Sequence, residues 1–227
     1  MSSTDLWFAE DLDGLVFDLD GTLWDTSEVV ARAWTQALLD LDLLRTVTAN
    51  DIAGIMGLTH QQIFPKLFPD LASEVWEAFA QQCYHREHEF IGSQGGRLYG
   101  GVSQGLARLA RQFPLYIVSN CQRGYIEQFL EVTGLGPLFK GFECHGNTGR
   151  PKGENIVTLV GRHGLKKTLY VGDTHSDGEA ARQAGLPFLF VEYGFGECDS
   201  AHMRFSEFED CVDWILRHQS VLKAEAL

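Results

Sequence analysis

The chain has 227 residues, 44% hydrophobic and 22% charged, which fits one large domain or a domain with a smaller insert, with a core that needs neither disulfides nor a structural metal. The formal charge of −13 opposes a polyphosphate backbone, and no run of Lys and Arg makes a basic patch, so nucleic acid is not an expected partner. Small anionic substrates stay open, because a phosphate ester needs only a few focused positive groups and a metal.

Met1 to Glu10 is polar and acidic, without the basic start and apolar stretch of a secretory signal. No segment reaches the length of a membrane span, so no membrane partner is expected. The five cysteines, Cys83, Cys121, Cys144, Cys198 and Cys211, form no Cys-x-x-Cys pair. That argues against zinc and for reduced thiols in the cytoplasm. Cys121 reads as a small packing residue.

In chain order, Gly14 to Asp18 is a short apolar run that ends in acid, followed by Asp20-Gly21-Thr22. It predicts a buried strand entering a polar loop. From Ser27, Val30, Ala33, Trp34, Ala37, Leu38 and Leu41 recur at helical spacing. Asp51 to Met56, Gln61 to Phe68 and Ser73 to Phe90 are helical too, with Asn50 and Ser73 as candidate caps. Gly54, Gly57, Pro65 and Pro69 divide this stretch, and Gly92 to Gly96 reads as a flexible return. No strand signal occurs between Thr26 and Ile91.

Beyond Gly100 the pattern alternates. Gly105 to Gln112 is helical, Pro114 to Asn120 a strand, and Gly124 to Thr133 a helix ended by Gly134. A short strand at Gly141 to Cys144 precedes a helix over Lys152 to His163. Thr168 to Asp173 is a strand, Ser176 to Ala184 a helix ended by Gly185, Pro187 to Val191 a strand, and Phe208 to Arg217 the last helix, frayed from Leu222. Apolar strands alternating with helices predict an α/β fold with a parallel sheet covered on both faces. The helical stretch breaks that alternation and reads as an insert on two linkers.

Three strands end in polar groups: Asp18 with Asp20, Ser119 with Asn120, and Asp173 with Asp177 just beyond. Ligands of parallel sheets bind outside the carboxyl ends of strands, so these groups are expected in one crevice. Four neighbouring carboxylates resist ionising together, and a hard divalent cation with oxygen ligands relieves that cost. Lys152 opens a helix, where an anion is better placed than a cation. It is either a surface lysine or the companion of a bound anion.

These segments together resemble the haloacid dehalogenase superfamily. Its first motif is matched by Asp18-Leu19-Asp20-Gly21-Thr22-Leu23, its second by Ser119-Asn120, its third by Lys152 and its fourth by Gly172-Asp173-Thr174-His175-Ser176-Asp177. The match runs from about Gly14 to Val191. It implies a Rossmann-like core over residues 1–25 and 96–227 and an inserted α-helical cap over 26–95. Asp18 would be the nucleophile that forms an aspartyl-phosphate. Asp20 would protonate the leaving alcohol and then activate water. Ser119, Asn120 and Lys152 would hold phosphate. Asp18, the Asp20 backbone carbonyl and Asp173 would bind Mg2+, with Asp177 in support. Asp20 favours phosphoryl chemistry over dehalogenation. The segments Val171 to Thr174, Ala180 to Gly185 and Tyr193 to Gly196 are similar to phosphoglycolate-phosphatase-like members, although these often carry a second proline after the lysine. The expected activity is Mg2+-dependent hydrolysis of a small phosphorylated metabolite. The rivals are a sugar-phosphate mutase of the same superfamily and a non-catalytic phosphometabolite-binding protein. Arg32, His60, Lys66 and Arg86 of the insert read as solvated surface. Trp7, Phe8, Trp34 and Trp76 belong to a core or an interface, so oligomeric state stays open.

Overall fold

A computed structural model describes residues 12–71 and 73–225. Six parallel strands form one sheet: β1 (Gly14–Phe17), β4 (Leu115–Ser119), β5 (Phe139–Cys144), β6 (Thr168–Gly172), β7 (Phe188–Val191) and β8 (Met203–Phe205), in the order β5-β4-β1-β6-β7-β8. The central strand explains the topology. Leu15 and Phe17 enter the core on one face, and Val16 enters the core on the other. Such a strand needs helices on both sides. The helices at Lys152–His163 and His175–Ala184 cover the face of Val16 through Ile156, Leu159 and Ala181. Those at Val102–Leu109 and Phe208–Glu225 cover the other through Leu106, Leu109, Phe208 and Val212.

Register brings the strand ends level. Phe17 lies beside Ile117 of β4 and Val171 of β6. Asp18, the next residue, donates its backbone N–H to Val171 O at 2.8 Å. The residues that follow the three central strands therefore share one edge of the sheet.

Between β1 and β4 the chain leaves the sheet through a two-stranded antiparallel ribbon, β2 (Trp24–Asp25) with β3 (Arg97–Leu98). Between these short strands lie four helices, α1 (Ser27–Asp40), α2 (Ala49–Ala53), α3 (His60–Leu67) and α4 (Ser73–Gln94), and no strand among the described residues. Aromatic packing joins them. Trp34 stacks on Phe64 with centroids 5.7 Å apart, and Phe68 meets Phe79 edge-on at 4.9 Å.

Several details differ from the sequence reading. Thr48 caps α2 in place of Asn50, because Thr48 and Asp51 make a reciprocal capping box. Pro65 does not interrupt α3. It forgoes one i→i−4 hydrogen bond, and the helix continues past it to end at Leu67. α4 runs through Gly92 to Gln94, so the return is only Gly95, at φ 70°, and Gly96. β2, β3, β8 and a short helix at His145–Thr148 were not anticipated. The last helix is longer than read, reaching Glu225. Met1 to Glu10, with Trp7 and Phe8, and the side chains of Ser73 and His60 lie outside the described residues.

Candidate active site

Asp18 is 2% exposed at the end of β1. Lys152, first residue of its helix, is also buried and donates from Nζ to Asp18 Oδ1 at 2.8 Å and Asp177 Oδ1 at 2.7 Å. Asp177 is fully engaged. Tyr170 Oη donates to its Oδ1 at 3.1 Å, while Thr174 N and Oγ1 donate to Oδ2 at 3.1 and 2.6 Å. The capping box at this helix start thus aims a second oxygen at Lys152. Burial alone would lower the lysine's pKa, but Asp177 and Asp18 hold it well above its ordinary value, so it is a fixed cation.

Asp173 follows β6. Thr22 Oγ1 donates to its Oδ1 at 3.1 Å and Phe195 N to its Oδ2 at 2.8 Å. Gly21 lies against the same carboxylate at φ +87°. A side chain there would be strained and would overlap Asp173, which accounts for the glycine. Oxygens of Asp18, Asp173 and Asp177 lie within 4.8 Å of one another.

Three buried carboxylates face one lysine. Burial, with repulsion from Asp177, raises Asp173 to about 7 and Asp18 well above the usual carboxylate range. The hydroxyl and amide donors are neutral, and Lys152 alone does not balance the charge of three carboxylates. The donor set, hard oxygens with unmet negative charge, fits Mg2+.

Asp20 stands apart from this cluster. Its Oδ1 accepts from Tyr125 Oη at 2.7 Å, Trp24 Nε1 at 3.1 Å and Thr26 Oγ1 at 3.4 Å. Burial raises its pKa to about 6 against those three bonds. The four carboxylates expected to converge therefore divide into a group of three and a separate one, although Asp20 and Asp18 line the same cavity.

Ser119 is buried at the end of β4, and its Oγ accepts from Cys121 N at 3.2 Å. Asn120 donates from Nδ2 to Gly57 O, between α2 and α3, at 2.8 Å. Its Oδ1 is buried without a hydrogen-bond partner among the described residues. Both residues, with Cys121, line the cavity that holds Asp18 and Asp20.

Tyr125, Tyr170, Glu87 and Gln122 carry no signal of a role in the sequence. Tyr125, Tyr170 and Glu87 come from a helix or strand whose spacing marks each only as one more half-polar position, and Gln122 comes from the loop after β4. Thr22 and Thr174 were visible, since both lie inside motif segments.

The family model described as haloacid dehalogenase-like hydrolase matches residues 15–191. A phosphoglycolate phosphatase of Synechococcus elongatus is 37% identical over 216 residues, covering 93% of this chain and 95% of that protein. A phosphoglycolate phosphatase of Escherichia coli is 26% identical over 211 residues, covering 82% of this chain and 83% of that one. The fold resembles that of a haloacid dehalogenase-like family hydrolase from Streptococcus pneumoniae, with a TM-score of 0.79 at 22% identity over 89% of this chain and 98% of that one. With a family match across most of its length and a relative similar from end to end, this chain belongs to the haloacid dehalogenase-like hydrolases.

Proposed function

We propose that the chain is a Mg2+-dependent phosphatase that hydrolyses a small phosphorylated metabolite through an aspartyl-phosphate on Asp18. The observation that carries this reading is the unequal treatment of two carboxylates in one cavity. Asp18 is held at 2.8 Å by Lys152, whereas Asp20 is set apart with a pKa near 6. A nucleophile must be aimed and ionised, which Lys152 and a cation bound at the acidic cluster would favour for Asp18, and a proton donor must keep its proton near neutral pH, which suits Asp20 among neutral donors.

In this mechanism a carboxylate oxygen of Asp18 attacks phosphorus and the bond from phosphorus to the ester oxygen breaks. Asp20 gives its proton to the departing alcohol. It then takes a proton from water, whose oxygen attacks phosphorus and restores Asp18. Splitting the hydrolysis makes two easier displacements of one hard one. Ser119, the main chain at Asn120, and Lys152 hold the phosphoryl oxygens, and Asp177 positions the lysine. Asp18, the Asp20 carbonyl and Asp173 would hold Mg2+, which when bound supplies positive charge against the phosphoryl oxygens. Residues 26–95 act as a cap that excludes water while the leaving group is present. The free thiols are in keeping with the cytoplasm. Two relatives are named phosphoglycolate phosphatases, which makes that ester one to test.

The test is release of p-nitrophenol from its phosphate ester with and without Mg2+. The expected result is metal-dependent turnover that Asp18→Asn abolishes. Turnover that survives Asp18→Asn overturns the mechanism. Hexose 1-phosphate converted to the 6-phosphate without free phosphate identifies a mutase instead.

A further inference from the structure

One wall of the cavity comes from the segment between β2 and β3. It is apolar at Val30, Trp34, Ile52, Ile55, Leu58 and Ile63, and it carries one charged group among the described residues, Glu87 of α4. Glu87 is 5% exposed. Trp34 Nε1 donates to its Oε2 at 2.9 Å and Gln122 Nε2 to its Oε1 at 2.5 Å. Both partners are neutral donors, which suits the acceptor form of the carboxylate. No described residue lining this cavity is cationic. The cations of the four helices are engaged elsewhere: Arg32 with Gln94, Lys66 with Gly54 O, and Arg86 with Asp40 and Glu89.

A second acceptor belongs to Asn120, which lines the same cavity. The Asn120 Nδ2 bond to Gly57 O fixes the orientation of the amide, since a flipped amide would set two oxygens together. The Asn120 Oδ1 left without a partner is a buried polar atom that calls for a donor. The cavity has a volume of about 60 Å³, room for a compact group.

Resting on the phosphatase reading, we infer that Glu87 and Asn120 select a compact, uncharged leaving group that carries a hydroxyl donor, and that an ester with an acidic leaving group is discriminated against. A hydroxyl there can donate to the Glu87 carboxylate, and Asn120 Oδ1 is a further acceptor carried by the same lining. A carboxylate in the same place meets a buried carboxylate and no cation, a like-charge contact in a dry site. Phosphoglycolate is therefore a poor substrate, despite the names carried by the relatives.

A matched pair tests this: 2-hydroxyethyl phosphate and 2-phosphoglycolate differ only in CH2OH against carboxylate. Assays with Mg2+ near pH 8 keep Glu87 ionised, with p-nitrophenyl phosphate as a third ester. The expected result is a kcat/KM for the hydroxyethyl ester at least about tenfold above that for phosphoglycolate, and a ratio that Glu87→Gln narrows by about tenfold. Preference of the wild type for phosphoglycolate overturns the inference, and so does a folded Glu87→Gln with an unchanged ratio. The wild-type ratio decides the matter if the variant does not fold. Hydrolysis of p-nitrophenyl phosphate with preference for phosphoglycolate sinks only the selectivity. No hydrolysis of any ester sinks the phosphatase reading and this inference with it.

Discussion

Asp18 and Asp20 are two residues apart and meet opposite surroundings. Lys152 stands against one, and a ring of neutral donors against the other. Removing the lysine tests the first. Lys152→Met leaves Asp18 and Asp177 buried without their cation, so metal-free stability in urea is expected to fall by about 3 kcal/mol or more, with loss of turnover. Stability equal to the wild type would show that the bridge carries nothing. Tyr125→Phe tests the second. Burial raises the pKa of Asp20, and the Tyr125 hydroxyl, donating to the carboxylate, holds it down to about 6. Without that bond the proton is held more tightly. In the proposed role of proton donor, Asp20 would lose function as pH rises through its pKa, so the alkaline limb of the pH-rate profile is expected to move to higher pH in Tyr125→Phe. A limb that stays in place or moves down would remove Asp20 from the acid role.

Helix α4 brings a carboxylate into an apolar wall, and that has a cost in pH dependence. Burial lifts Glu87 from its ordinary 4.5 to about 7 against its bonds from Trp34 and Gln122. Its folded-state pKa lies above the unfolded one, so its contribution to stability is whole below about pH 4.5 and is lost as pH rises towards 7. The shift is worth up to about 3 kcal/mol. Glu87→Gln keeps the acceptor oxygen and cannot ionise. Its melting temperature relative to wild type is therefore expected to climb from pH 5 to about pH 8, and a flat difference would show that Glu87 is not strained by ionisation. Nothing in the sequence of α4 marks this residue. Its neighbours in space, Trp34 and Gln122, are 53 and 35 positions away. The strand ends were legible for the opposite reason, since an apolar run that stops at Asp18, Ser119 or Asp173 announces its own carboxyl edge. The ribbon of β2 and β3 was not, because two residues per strand show no period. The Thr48 cap of α2 is legible in principle, since Asp51 stands three residues on, the signature of a capping box.

At the scale of the molecule, the parallel sheet gathers charge at one edge and the helices between β2 and β3 close over it. Asn120 Nδ2 reaches Gly57 O, Gln122 reaches Glu87, and Gln128 Nε2 reaches His88 O at 2.7 Å, so the loop after β4 and the helix that follows hold both parts together. The cluster of Asp18, Asp173 and Asp177 is the unfavourable element of this closed form. Burial raises the pKa of Asp18 and takes that of Asp173 to about 7. With folded pKa values above the unfolded ones, the metal-free protein is most stable where these groups are protonated, and it loses that stability as pH rises towards 7. A divalent cation that bound the ionised cluster of the folded chain would stabilise it, more strongly at higher pH. Three melting curves test the balance. Wild type without metal is expected to melt lower near pH 8 than near pH 5, and Mg2+ is expected to restore it at the higher pH. Asp173→Asn removes one of the repelling charges. Its metal-free melting temperature near pH 8 should lie above the wild type's, and Mg2+ should raise it little, so that the order of the two proteins reverses when the ion is added. If Mg2+ leaves the wild-type melting temperature unchanged at the higher pH, the cluster does not bind the ion, and the positive charge that phosphoryl transfer needs would have to come from Lys152 alone.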